Sequence, residues 1–180
     1  MKKKTQLVII LGLCVSMFFS CSEQGETNPE PVQGFELENQ FYATPKMILL
    51  PLGESAANLY EFDLVLLSGS ITTDEEIEGE EGYFLLLKVF TDSETGIVPG
   101  TYVFGQDPNA SSIMEGMVVL NFITPATFGN VRPVTSGELT VSEEAGNVVL
   151  TYEVTLSDNK KVIGSYITDW NSWVIQTDMN

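Results

Sequence analysis

Two carboxylates in one short apolar segment are the first residues whose type and spacing could do chemistry. Glu61 and Asp63 stand two positions apart in residues 59–67, so on a β-strand both point to the same face. A carboxylate pair is the catalytic equipment of a glycosidase. The alternate positions Phe62 and Leu64 are apolar, which predicts that they face the core and that the two acids face solvent. With 25 acidic residues in the chain, such pairs also arise by chance, and we interpret this one as part of a solvated strand face.

A second candidate is the acidic segment 74–81, which holds six carboxylates in eight residues. Oxygen ligands at this density could bind calcium. The spacing does not fit an EF-hand loop, however, and a self-repelling, solvated hairpin loop explains the composition better. We therefore predict no metal site and no cofactor.

A third candidate is the segment 157–160, Ser-Asp-Asn-Lys. It matches S-x-x-K and contains S-D-N, two motifs of penicillin-recognising serine enzymes. That family places its S-x-x-K serine at the start of a buried helix and keeps the two motifs far apart. Here both fall in one expected hairpin turn, and we interpret the match as coincidence.

The chain lacks the residues on which most hydrolytic mechanisms depend. It contains no histidine, which removes the usual general base near neutral pH and any Ser–His or Cys–His pair. Its two cysteines, Cys14 and Cys21, lie inside and at the end of the N-terminal apolar segment. No phosphate-binding loop or nucleophile elbow is present. The sequence predicts a protein that is not an enzyme, and 25 acidic against 8 basic residues make nucleic acid an unfavourable partner.

Aromatic residues near the C terminus suggest a binding role instead. Trp170 and Trp173 follow the last apolar segment, close to Tyr166. Exposed aromatic rings are how non-catalytic modules hold sugar rings, which predicts these three residues as ligand-binding. The alternative is that one or both tryptophans close the end of the core, because Trp is usually mostly buried.

The N-terminal segment is organised as an export signal. Three lysines precede an apolar run of 13 residues, 7–19, which is too short to span a bilayer. The run ends in Phe18-Phe-Ser-Cys21, which resembles the lipobox of bacterial lipoproteins, although the family pattern has Leu at Phe18 and a small residue at Phe19. The resemblance implies cleavage before Cys21, acylation of its sulfur and new N terminus, and membrane attachment through those chains. The alternative is an ordinary cleaved signal in which Cys21 is incidental.

The residues after Cys21 indicate to which membrane the protein is sorted. Ser22 stands where Asp would signal retention at the inner membrane, and Glu23 and Glu26 resemble the surface-export signal of Bacteroidetes-type lipoproteins. The resemblance implies an outer-membrane protein that faces the cell surface. Residues 22–34 contain one apolar residue, two prolines and three acids, which predicts a disordered tether. The expected organisation is a signal peptide at 1–20, a tether at 21–34 and one domain at 35–180.

The domain reads as all-β. Its apolar runs are short and are separated by turn residues, with prolines at their ends. The C-terminal third predicts a three-stranded antiparallel meander at 137–142, 147–156 and 161–170. We predict about nine strands in an antiparallel β-sandwich or a partly closed barrel. Segments 59–67 and 83–90, which are apolar at nearly every position, should lie centrally and be covered on both faces.

These observations predict a non-catalytic, surface-anchored lipoprotein whose domain binds a glycan or another extracellular ligand. One alternative is an accessory subunit that docks to another outer-membrane protein through a strand edge or its acidic face. Another is a barrel that carries a small apolar ligand. The final meander, with Gly164-Ser-Tyr166 in its last strand, also resembles the C-terminal part of small Bacteroidetes-type lipoproteins of unknown function, which assigns a role to no residue here.

Overall fold

A computed structural model describes residues 33–68, 82–105, 107–122 and 129–169 of the chain. Cys21, the acidic segment 74–81, Trp170 and Trp173 lie outside the described residues. The described part contains no helix, and so none of the length and apolar character needed to cross a membrane. It consists of ten strands: β1 (Gly34–Leu37), β2 (Gln40–Ala43), β3 (Lys46–Ala56), β4 (Leu59–Leu67), β5 (Gly82–Thr91), β6 (Gly100–Phe104), β7 (Ser112–Phe122), β8 (Asn130–Glu144), β9 (Asn147–Leu156) and β10 (Lys161–Asp169).

All ten strands belong to one sheet, in the order β2-β1-β10-β9-β8-β6-β7-β5-β4-β3. Neighbours pair antiparallel except for a two-residue parallel pairing of β6 with β7, which makes the sheet mixed. The sheet curls into a half-barrel. The predicted all-β class is confirmed. Of the two predicted arrangements, a sandwich and a partly closed barrel, the single curled sheet corresponds to the partly closed barrel.

The predicted C-terminal meander is confirmed, with β9 beginning and ending at the predicted residues. The β8–β9 turn places Ala145 and Gly146 at φ values of 51° and 84°, the left-handed backbone that a tight hairpin requires. Asn159, at φ 64°, does the same in the β9–β10 turn. Strand β8 begins seven residues before the predicted start, because its first half pairs with β7 and its second half with β6.

The concave face of the sheet carries the core. Strand β4 alternates as predicted, with Phe62 and Leu64 buried and Glu61 and Asp63 on the convex face. The expectation that the segments of β4 and β5 are covered on both faces is corrected, since their convex positions stay partly accessible. The barrel curvature explains this, because one face of a curled sheet is enclosed and the other faces outward. The largest fully buried side chains include Tyr102, Phe35, Phe62, Leu37, Leu49, Leu64, Leu66, Leu85 and Leu87.

Aromatic contacts hold the two ends of the sheet together across the core. The ring of Phe35 on β1 stacks on Tyr42 of β2, with centroids 5.0 Å apart. Tyr42 in turn meets Tyr83 of β5 edge-on, again at 5.0 Å. Because β2 is one edge of the sheet and β5 lies near the other, these contacts fix the curvature of the half-barrel.

Candidate functional site

Tyr166 is a structural residue of the core. Its side chain is only 7% exposed, and its hydroxyl donates a hydrogen bond to Pro45 O over 3.3 Å. Burial raises the pKa of Tyr166, an effect that the backbone of Met47 partly offsets. The prediction that Tyr166 offers a ring face to a ligand is therefore corrected. The predicted roles of Trp170, Trp173 and Cys21 concern residues outside the described part of the chain.

Glu61 and Asp63 share the convex face of β4, as predicted, with Lys88 of β5 beside them. Lys88 Nζ lies 2.8 Å from Glu61 Oε1 and 3.9 Å from Glu115 Oε2. Burial raises the pKa of Asp63, and the positive charge of Lys88 only partly offsets this. Asp63 Oδ1 is buried and has no hydrogen-bond partner among the described residues. The Glu61 carboxylate is engaged by an ammonium group, which is the arrangement of an ion pair within a strand face.

The segment 157–160 forms the β9–β10 turn, as predicted. Lys160 Nζ lies 3.2 Å from Glu38 Oε1, and Arg132 Nη1 lies 3.1 Å from Glu38 Oε2. Hydrogen bonds from Lys160 and Arg132 lower the pKa of the exposed Glu38 carboxyl. Lys160 thus serves to join the β9–β10 turn to the β1–β2 turn. Within the described ranges, no group of three or more His, Cys, Asp or Glu side chains lies close enough together to hold a metal ion.

An open groove of about 440 Å³ lies on the convex face of β8, β9 and β10. We call it the outer groove. The polar wall residues and Ile163 alternate with core residues along each strand, so their side chains point outward. Tyr152 borders the groove but points inward, and with Leu139, Val154 and Val162 it fills the interior. The groove is lined by Glu138, Thr140, Thr151, Tyr152, Glu153, Ile163, Gly164 and Ser165.

Strand register arranges these residues in two rows that run across the strands. A hydroxyl row places Ser165 opposite Thr151, Thr151 opposite Thr140, and Thr140 opposite Thr101 of β6. A second row runs Phe41, Glu36, Ile163, Glu153, Glu138, Val103. Neighbouring members of a row are separated by the strand spacing of about 4.8 Å. The convex face therefore presents a regular, repeating set of hydrogen-bonding groups.

The second row also concentrates exposed apolar surface. Five large apolar side chains are exposed in the described part of the chain, and three of them belong to this row: Phe41 at 48%, Val103 at 52% and Ile163 at 52%. Glu36 separates Phe41 from Ile163, and Glu153 and Glu138 separate Ile163 from Val103, so the row offers single apolar contacts between carboxylates rather than one apolar patch.

The ring of Phe41 lies close to Gly34, a neighbour that has no side chain. A Cβ atom on Gly34 would stand 2.5 Å from Phe41 Cζ and 2.3 Å from Tyr42 O, closer than any real contact. The ring therefore reaches along β1 over Gly34, which pairs with Ser165 of the outer groove. An accessible aromatic ring thus borders a groove of hydroxyls and carboxylates.

The fold and this face define a single-sheet, all-β half-barrel with a polar groove and an aromatic border on its convex side. Comparison of the chain with protein-family models, with curated proteins and with solved structures finds no match in any of the three. The site must accordingly be interpreted from its own residues.

Sequence reasoning did not find the outer groove. The alternation of β9 does place Thr151 and Glu153 on the polar face, but nothing local marks Glu138, Ser165 or Phe41 as their neighbours. Only the pairing of β8, β9, β10 and β1 brings them together.

Proposed function

We propose that this domain is a non-catalytic binding module that holds a glycan in the outer groove, with Phe41 as the platform for a sugar ring. The observation that carries the proposal is the half-exposed ring of Phe41, laid over Gly34 beside the groove. It replaces Tyr166 as the candidate aromatic contact.

The groove chemistry suits a polyhydroxylated ligand. Carboxylates accept hydrogen bonds, and Thr and Ser hydroxyls both donate and accept, so together they match sugar hydroxyls, which do the same. Ile163 and Phe41 supply apolar surface for the C–H faces of the rings. The groove is shallow and open along the rows, which favours an extended chain over a small enclosed molecule.

Two other functions receive less support. Carriage of a small apolar ligand needs an empty interior, whereas the concave face is packed with side chains that are almost completely buried. Docking by strand addition needs a long regular edge, but edge strand β3 has register shifts between Pro51 and Gly53 and between Glu54 and Ala56. Proline and bulges are devices that protect an edge from pairing.

The proposal includes display of the domain at the cell surface through lipid on Cys21, on the strength of the signal and lipobox alone. Labelling cells with a palmitate analogue tests this part separately. Label on the wild-type protein that is lost in Cys21→Ser supports the anchor, and equal label on both excludes it.

The binding proposal is tested by calorimetric titration of the purified protein with a panel of extracellular polysaccharides. The Phe41→Ala variant is expected to bind roughly fivefold more weakly than wild type, since ring contacts are worth on the order of 1 kcal/mol. Leu52→Ala is the matched control, because Leu52 is 47% exposed and lies on β3, outside the groove. Absence of binding to every polysaccharide, or equal losses in the two variants, would exclude the outer groove as a glycan site.

A further inference from the structure

The outer groove carries more negative charge than its surroundings neutralise. Glu138 and Glu153 stand directly opposite each other on β8 and β9, a like-charge pair that weakens strand pairing. Lys161 Nζ contacts Glu153 Oε1, and within the described ranges no other cation pairs with a carboxylate of the groove. Glu138 remains exposed. Glu36, which pairs with Ile163 from the neighbouring strand β1, is exposed as well.

We propose that the outer groove selects glycans that bear free amino groups, such as unacetylated hexosamine oligomers, over neutral glycans and against acidic ones. This inference rests on the proposed glycan function and adds the chemical class of the ligand. Lys161 already pairs with Glu153, so a protonated amine beside Glu138 supplies the positive charge that this second carboxylate lacks and relieves the remaining repulsion between the two. Charged hydrogen bonds of this kind are stronger than neutral ones.

The geometry separates the roles of the two rows. Thr140, Thr151 and Ser165 of the hydroxyl row can bind ring hydroxyls along one side of the ligand. Glu138 and Glu153 stand two residues away on the same strands, about 7 Å along each strand, and point out of the same convex face. A sugar ring that lies across β8 and β9 therefore meets hydroxyls on one side and carboxylates on the other.

The overall charge of the protein acts in the same direction. A formal net charge of −17 repels acidic polysaccharides at a distance and draws cationic ones toward the surface. A preference that comes only from this field would act over the whole surface, whereas the proposed preference belongs to one pair of carboxylates. The two are distinguished by single substitutions.

The experiment titrates the full-length protein with two hexosamine oligomers of equal length, one unacetylated and one fully N-acetylated, and with a uronic acid oligomer. At about pH 6, where the amine is protonated, the unacetylated oligomer should bind about tenfold more tightly than the acetylated one. The uronic acid oligomer should bind least. The preference should shrink between about 0.01 M and about 0.15 M salt, as the screening length falls from about 30 Å to about 8 Å.

Glu138→Gln should abolish the preference, because it should weaken binding of the unacetylated oligomer far more than binding of the acetylated one. It should also raise the melting temperature, because it removes the like-charge pair. Glu144 is an exposed acid at the end of the same strand, and Glu144→Gln removes one negative charge just as Glu138→Gln does, so it should preserve the preference.

Each adverse outcome has a distinct meaning. Equal affinities for the two hexosamine oligomers, or equal losses in Glu138→Gln and Glu144→Gln, would overturn the inference while leaving the glycan function intact. No binding of any oligosaccharide would overturn both. If an oligolysine peptide of equal charge bound as tightly as the unacetylated oligomer, the outer groove would recognise positive charge and not the sugar. That result would also overturn the inference.

Discussion

The hydroxyl of Tyr152 donates a hydrogen bond to Gly34 O over 3.1 Å, across the intervening strand β10. The bond is possible because Gly164, on β10, has no side chain, and the tip of the tyrosine ring takes that space. Burial raises the pKa of Tyr152, so the hydroxyl remains a donor over a wide range of pH. One side chain of β9 thereby fixes β1, the strand over which Phe41 lies.

Gly164→Ala should destabilise the domain. The new Cβ would stand 2.4 Å from Gly34 O and 2.5 Å from Tyr152 Oη, so the ring or β1 must move. Overpacking of a filled core costs about 1–3 kcal/mol. Urea unfolding measures the loss, and Gly105→Ala serves as the control because its nearest neighbour would be 3.8 Å away. Equal stability of the two variants would contradict the packing argument.

Tyr152→Phe should cost about 1 kcal/mol of stability, the net value of a buried neutral hydrogen bond. The pH dependence provides a second readout. Since the folded protein raises the pKa of Tyr152, an unfolded tyrosine loses its proton first, near pH 10, and stability falls as the pH rises above that value. The variant should show a shallower fall. Stability curves that run parallel above pH 10 would refute this account of Tyr152.

Asp63→Asn should stabilise the domain at neutral pH. The folded-state pKa of Asp63 is raised, so the native protein binds its proton more tightly than the unfolded chain, and ionisation opposes folding. The gain should therefore be largest at neutral pH and disappear as the pH falls below about 3.9, the ordinary value for aspartate.

Thermal unfolding between pH 3 and pH 7 measures this effect. Glu115→Gln is the control, because its side chain is 71% exposed while it also faces Lys88. A lower melting temperature for Asp63→Asn at pH 7 would mean that attraction to Lys88 outweighs the burial of Asp63.

Tyr166→Phe should loosen the start of β3. The hydroxyl of Tyr166 bonds Pro45 O, immediately before the edge strand, and so helps to hold that edge against β10. Loss of one bond should speed amide exchange in β3 by about fivefold, which corresponds to roughly 1 kcal/mol. Exchange rates in β9, which has partners on both sides, serve as the internal reference. Unchanged protection in β3 would show that side-chain packing alone holds the edge.

Local pattern was enough to predict most strands and the faces of several. The segments 59–67, 83–90, 137–142, 147–156 and 161–170 all coincide with observed strands or parts of them. Strand β1 had no such signal, because its four residues Gly34–Leu37 hold only two large apolar side chains. The alternation of β4 correctly separated Phe62 from Glu61. The same reasoning expected coverage on both faces of β4 and β5, because composition does not show the curvature of a sheet.

Local sequence patterns did not predict the residues of the outer groove or its aromatic border. The sequence groups Tyr166 with Trp170 and Trp173 because it lies near them in the chain. Side chains alternate along a strand, however, and Val162, Gly164 and Tyr166 all lie on the inward face of β10. Phe41 belongs to a four-residue strand with no local sign of a role.

The sequence by itself determined the acidic charge, most of the strand-forming segments and the polar or apolar character of their faces, since these depend on composition or on residues close together in the chain. Tertiary structure alone decided that β1 pairs with β10, that Glu138 meets Glu153, and that Phe41 lies over Gly34 beside Ser165. The physical reason is that strand register is set by how the whole sheet packs its core. A shift of one residue in the pairing of β8 with β9, or of β9 with β10, would break both rows of the outer groove while leaving every local pattern unchanged.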